Sequence, residues 1–181
     1  MVSQIKNLII TANPGIGKTT LIKEVCTKNL EKVGGFYTTE IREYNSNTKK
    51  NERMGFRICT FSGETEIMAY KGKKSEFRLN KYGIDKSVIE NIGVKSILDA
   101  LKNKRVVVID EIGTMEMISP LFIETVVKCF NSEKYVLATI RYRSQPFTDE
   151  IAKLNDTKMI LLTRDNFDIV KKEVLQWLEK I

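Results

Sequence analysis

The run Ala12-Asn13-Pro14-Gly15-Ile16-Gly17-Lys18-Thr19 follows the spacing G-x-x-x-x-G-K-[ST], with Ala in place of the first Gly. Such a loop wraps backbone N–H groups around an anion at a helix N-terminus, and Gly15 and Gly17 supply bends without side chains where those groups converge. Lys18 would then reach the β- and γ-phosphates of a nucleoside triphosphate. The Thr19 hydroxyl would be offered to Mg²⁺, which bridges the same phosphates. The competing reading is a glycine turn followed by a surface lysine.

A second constellation closes the apolar run Val106-Val107-Val108-Ile109 with Asp110-Glu111. In a parallel sheet such a strand end lies on the ligand-binding edge, the arrangement known as Walker B. Asp110 would hold Mg²⁺ together with Thr19, because a small hard cation prefers carboxylate oxygens and retained water. Glu111, one residue on, would polarise a water for in-line attack on the γ-phosphorus. Strands also end in solvent-exposed acids, and it is the upstream phosphate loop that favours the metal reading.

Tyr135 to Ile140 is expected to lie between the phosphate-loop strand and the acidic strand, which would bring Thr139 to the γ-phosphate or its water; a strand threonine is otherwise β-branched filler. Arg141 and Arg143 leave the same edge and are both candidates to stabilise charge on the transferring phosphoryl group.

These residues need a scaffold, and the apolar patterning supplies one. Lys6 to Thr11 reads as a buried strand, Lys18 to about Leu30 as a helix, and Gly34-Gly35 as a chain break. Phe36 to Arg42, Met54 to Phe61 and Glu66 to Tyr70 read as antiparallel strands. Helical spacing returns from Lys86 to Leu101, with Gly93 as a weak point. A strand at Arg105 to Asp110 and a helix at Pro120 to Phe130 come next, then a strand at Tyr135 to Ile140 and a helix at Asp149 to Leu154. A strand at Met159 to Leu162 and a helix at Phe167 to Lys180 close the chain. Alternating strands and helices predict a three-layer α/β fold of the P-loop NTPase kind, with a mostly parallel central sheet and an antiparallel β extension.

The chain of 181 residues, 42% hydrophobic and 29% charged, has the composition of one globular domain spanning residues 1–181. No apolar stretch approaches the roughly 20 residues that cross a bilayer. Met1 to Leu8 leads directly toward a strand without the pattern of a signal peptide, so the expected location is cytoplasmic. Cys26, Cys59 and Cys129 fit neither a disulfide framework nor a zinc ribbon and are expected to be buried or inert thiols. The net charge of +7 is scattered over several segments, which argues against a nucleic-acid track. Oligomeric state is left open, with a monomer as the working expectation.

Several stretches together resemble the small nucleoside-triphosphatases first recognised in thermophiles, whose animal relative is called cancer-related nucleoside-triphosphatase. They are Asn13 to Thr20, Gly35-Phe36-Tyr37-Thr38-Thr39-Glu40-Ile41-Arg42, Arg53 to Ile58, Asp110-Glu111-Ile112-Gly113-Thr114-Met115-Glu116 and Ala138-Thr139-Ile140. The resemblance implies a Mg²⁺-dependent hydrolase releasing phosphate from ATP, GTP, CTP or UTP with little preference for the base. It adds Thr20 and Gly113 to the nucleotide-binding candidates, and Arg42 and Arg57 to those lining the site; both arginines could equally be surface partners of Glu40 and Glu43. Thr163-Arg164-Asp165-Asn166 resembles the loop that meets the base, with Arg164 and Asn166 as contacts, and a helix cap is the alternative. Thr114, Gln145 and Phe167 stand where the family usually has Lys, His and Arg. Two other functions use the same loop: a nucleoside or nucleotide kinase, which would need an acceptor pocket, and a nucleotide-dependent switch acting with nucleic acid or protein.

Overall fold

Strand β1 (Asn7–Ala12) is buried along its whole length, and its side chains alternate between two cores. Leu8 and Ile10 pack with Leu21, Ile22 and Val25 on one side, while Ile9 packs with Ile97, Phe122 and Val126 on the other. Period-two alternation into two apolar layers requires helices on both faces of the strand. The computed structural model, which describes residues 5–181, supplies them. Met1 to Gln4, the start of the stretch read above as leading into a strand, lie outside the described residues.

The remaining strands are β2 (Val33–Asn45), β3 (Lys50–Thr60), β4 (Thr65–Lys71), β5 (Phe77–Leu79), β6 (Tyr82–Ile84), β7 (Val106–Ile112), β8 (Tyr135–Arg141) and β9 (Thr157–Leu161). They form one nine-stranded sheet in the order β5-β6-β4-β3-β2-β7-β8-β1-β9. From β2 to β9 the neighbours are parallel, and from β2 to β5 they are antiparallel. Strand β8 lies between β1 and β7, as expected. Helices α1 (Lys18–Cys26) and α6 (Phe167–Glu179) contribute Leu21, Val25, Val170 and Val174 to one core. Helices α3 (Lys95–Asn103) and α4 (Pro120–Phe130) contribute Ile97 and Phe122 to the other.

Several boundaries differ from the sequence reading, each for a local reason. Helix α1 stops at Cys26 rather than near Leu30; Thr27 caps it with both its N–H and its hydroxyl on the Lys23 carbonyl, and Leu30 stays exposed. Gly34 and Gly35 do not break the chain; they lie within β2 and pair with Val107 and Val108 of β7. At Gly35, with φ +108°, an added Cβ would stand 2.1 Å from the Val108 carbonyl oxygen. Strands β2 and β3 run on to a hairpin in which Asn45 Oδ1 accepts from the N–H groups of Asn47 and Thr48. The helix read from Lys86 to Leu101 comprises α2 (Lys86–Val88), a π-helical segment (Ile89–Val94) and α3. Gly93, in that segment, lets Ile58 and Phe36 pack against the backbone. Helix α5 (Pro146–Ala152) begins three residues early because Pro146 fits its first turn, where no donor is needed.

Gly35→Ala would meet both the positive φ and the Val108 carbonyl, whereas Gly63, with φ +100°, faces open space. Denaturant unfolding should show Gly35→Ala losing roughly 2–4 kcal/mol and Gly63→Ala about 1. Equal losses would contradict the close approach of β2 to β7.

Candidate active site

The loop after β1 turns on Gly15 at φ +79° and Gly17 at φ +114°, both in the region that favours glycine. Ala12 is buried as the last residue of β1; Asn13, Pro14, Gly15 and Thr20 are exposed, and Ile16, Gly17, Lys18 and Thr19 are half-buried. Helix α1 starts directly after Gly17, with no acidic residue in its first turn and no side-chain cap. Its first N–H groups are thus left to an anion.

Strand β7 carries Asp110 to the same sheet edge, where the carboxyl group is wholly buried. One oxygen, Oδ1, accepts a 2.6 Å hydrogen bond from the Thr139 hydroxyl, and the other, Oδ2, has no partner that completes a hydrogen bond. Burial pushes the Asp110 carboxyl up to about 6, against the hydroxyls of Thr139 and Thr19, which favour its charged form. A buried carboxylate oxygen left open beside a threonine hydroxyl is a hard-oxygen donor set, which suits a small divalent cation. Among the described residues no group of three or more His, Cys, Asp or Glu could hold a metal alone. Cations that sit on triphosphates take the rest of their shell from phosphate oxygens and water.

Glu111 lies between two cations: Lys18 Nζ is 3.1 Å from Oε2 and Arg141 Nε is 3.4 Å from Oε1. Its side chain is 23% exposed, so it keeps a path to solvent, while that of Lys18 is 11% exposed. The structure therefore brings Lys18, Asp110, Glu111 and Arg141 together and ties Thr19 electrostatically to the same carboxyl group. Gly113 follows in the turn after β7, where an added Cβ would stand 2.7 Å from Glu116 Oε2.

Other candidates fall elsewhere. The Thr139 hydroxyl donates to Asp110 and so holds that carboxyl group. Arg42 is held by Glu40 and by the Asn51 carbonyl on the outer part of β2, the surface pairing named as its alternative. Arg57 lines an open groove of about 650 Å³ with Ile41, Ile67 and Tyr70, and none of the loop residues Ala12 to Thr20 lines that groove. Arg143 and Arg164 are exposed. Asn166 closes its own loop, with Oδ1 accepting from Thr163 N–H and Nδ2 donating to the Leu161 carbonyl; its side chain does not cap α6. Cys26 and Cys129 are buried with their thiols pushed up by burial, and Cys59 is half-buried.

Two departures from the expected motifs meet, since Gln145 Nε2 donates to Thr114 Oγ1 at 3.1 Å. The third, Phe167, sets its ring 3.4 Å from where a Cβ on Gly17 would be. The residue whose place the motifs left unread is Glu116, a 5% exposed acid in a 3₁₀ turn (Glu116–Ile118) beside Glu111. Its apolar flanks, Met115 and Met117-Ile118, were the available sign of burial.

A family model described as NTPase matches residues 7–175. The nucleoside-triphosphatase THEP1 of Thermotoga sp. (strain RQ2) is 41% identical over 172 residues, which cover 95% of each chain. The crystal structure of THEP1 from the hyperthermophile Aquifex aeolicus superposes with a TM-score of 0.82 at 33% identity, covering 96% of this chain and 99% of that one. The solution structure of a human cancer-related nucleoside triphosphatase gives 0.78 at 29% identity, covering 97% and 98%. With the phosphate-loop fold, the clustered lysine and carboxylates and these likenesses in agreement, the chain belongs to the THEP1 family of P-loop nucleoside-triphosphatases.

Proposed function

We propose that this protein hydrolyses nucleoside 5'-triphosphates to the diphosphate and phosphate in a Mg²⁺-dependent reaction, with Lys18 and Glu111 as the catalytic pair. The observation that carries the reading is the 3.1 Å contact between them beside the open oxygen of Asp110. The phosphates would sit on the N–H groups from Asn13 to Thr20, against the N-terminus of α1. Lys18 would exchange Glu111 for phosphate oxygens, a stronger anion, and so release the carboxylate to solvent. Glu111 then takes a proton from a water whose oxygen bonds to the γ-phosphorus as the bridging P–O bond breaks and the diphosphate leaves. Arg141, 3.4 Å from Glu111, would offset charge on the transferring group. Thr19 and Asp110 would hold Mg²⁺, which when bound neutralises charge on the phosphate oxygens.

Broad base use has its own support. The Asn166 amide is consumed within its loop, which removes an edge-reading group, and the Phe167 ring beside Gly17 offers stacking, an interaction every base satisfies. A cytoplasmic setting accords with three unpaired cysteines, and the single sheet running from β5 to β9 supports residues 1–181 as one domain. Among the described residues no helix is long and apolar enough to cross a membrane.

Phosphate release from ATP, GTP, CTP and UTP should give kcat/KM values within about one order of magnitude of one another, as expected for stacking without edge readout. Glu111→Gln should lose on the order of 10²–10³-fold in kcat while nucleotide affinity holds. Full turnover by that variant would refute Glu111 as the group acting on water. Chelation should abolish release and Mg²⁺ restore it, and Asp110→Asn should need at least about tenfold more Mg²⁺. An unchanged metal requirement would remove Asp110 from the metal site.

A further inference from the structure

Glu116 is a carboxyl group in the interior that forms no ion pair among the described residues, six residues beyond Asp110 and outside every role assigned above. The chain turns at Gly113, where the N–H of Met117 donates to the Gly113 carbonyl and fixes the 3₁₀ turn against the end of β7. A point one Cβ bond from Gly113 Cα lies 2.7 Å from Glu116 Oε2 and 3.0 Å from Glu111 Oε1. The two carboxyl groups thus converge on the space that the missing side chain of Gly113 leaves empty.

We propose that Glu116 is a positioning residue for hydrolysis, bracing the Glu111 side chain across Gly113 so that it stays aimed at the attacking water. The inference rests on the reading of Glu111 as the group that acts on water. Two carboxyl groups that converge on one point inside a protein disfavour carrying charge together. Glu111 has Lys18 and Arg141 within ion-pair distance and partial access to solvent, whereas Glu116 has neither. Burial and then the charge on Glu111 push the Glu116 carboxyl up to about 8; Asp110 of β7 adds to the rise and Arg141 of β8 opposes it. Glu116 is therefore a neutral acid at pH 7, with an O–H able to donate to the Glu111 carboxylate. Such a contact would gain importance if Lys18 moved to the phosphates, because Glu111 would then lose one of its two cationic restraints. A Cβ at Gly113 would crowd both carboxyl groups, which would have to shift apart.

The test compares Glu116→Gln and Glu116→Ala, each alone and combined with Glu111→Gln, by steady-state kinetics over pH 6–9 with nucleotide binding measured in parallel. Glu116→Ala should lower kcat about 10- to 100-fold with affinity unchanged, the range of a lost supporting contact. Glu116→Gln, whose amide still donates, should recover kcat to within about fivefold at pH 7. The wild type should lose kcat as pH rises through about 8, where Glu116 ionises, and Glu116→Gln should lack that limb. Adding Glu116→Ala to Glu111→Gln should cost nothing further, since there is no base left to aim. Wild-type kcat in Glu116→Ala, an alkaline limb that persists in Glu116→Gln, or a full Glu116→Ala penalty on top of Glu111→Gln would each overturn the proposal. If Glu116→Ala does not fold, the pH profile of Glu116→Gln decides. A dead Glu111→Gln beside an active Glu116→Ala sinks only this inference, whereas an active Glu111→Gln sinks the reading beneath it.

Discussion

Burying the Asp110 carboxylate at the end of the central strand is the constraint on which the rest of the site depends. A charged carboxyl group taken fully out of water is costly unless hydroxyls and cations surround it. Strand β8 brings the Thr139 hydroxyl from one side, and the start of α1 brings Thr19 and Lys18 from another. What remains is one open oxygen, an incomplete solution that a cation would complete. The position of β8 between β1 and β7 is thus as much an electrostatic requirement of the site as a matter of topology.

The neighbouring charges follow from it. Asp110, Glu111 and Glu116 influence one another electrostatically, and Lys18 and Arg141 lie within ion-pair distance of Glu111. Without a triphosphate the lysine serves Glu111. On the proposed reading polyphosphate oxygens would compete for that lysine, so that binding of the substrate and release of Glu111 would be one exchange of partners. Long strand β2 matters here through its first half: Gly34 and Gly35 seat it tightly on β7, and its second half carries the antiparallel extension away from the site.

Strands β1, β7, β8 and β9 were legible because each carries an uninterrupted or alternating apolar run; of their order only the place of β8 between β1 and β7 was read. The phosphate loop was legible because its glycines and lysine are bound by spacing. The short strands Phe77–Leu79 and Tyr82–Ile84 were not, since three residues carry no period to read. Gly34-Gly35 misled because glycine marks both breaks and close approaches, and only the Val108 carbonyl tells which applies. The hydrogen bond from Thr139 to Asp110 was not legible, because reach across a sheet depends on register. Glu116 was quoted within a motif yet assigned no role, since an acid among methionines declares burial only once the turn that encloses it is known.

The central claim is that one lysine passes from Glu111 to the triphosphate as the site loads. A crystal structure with Mg²⁺ and a non-hydrolysable triphosphate analogue tests it most directly. The account predicts Lys18 on the β- and γ-phosphate oxygens, the metal against the open oxygen of Asp110, and Glu111 turned to a water in line with the γ-phosphorus. An intact Lys18–Glu111 pair with the analogue bound would contradict it.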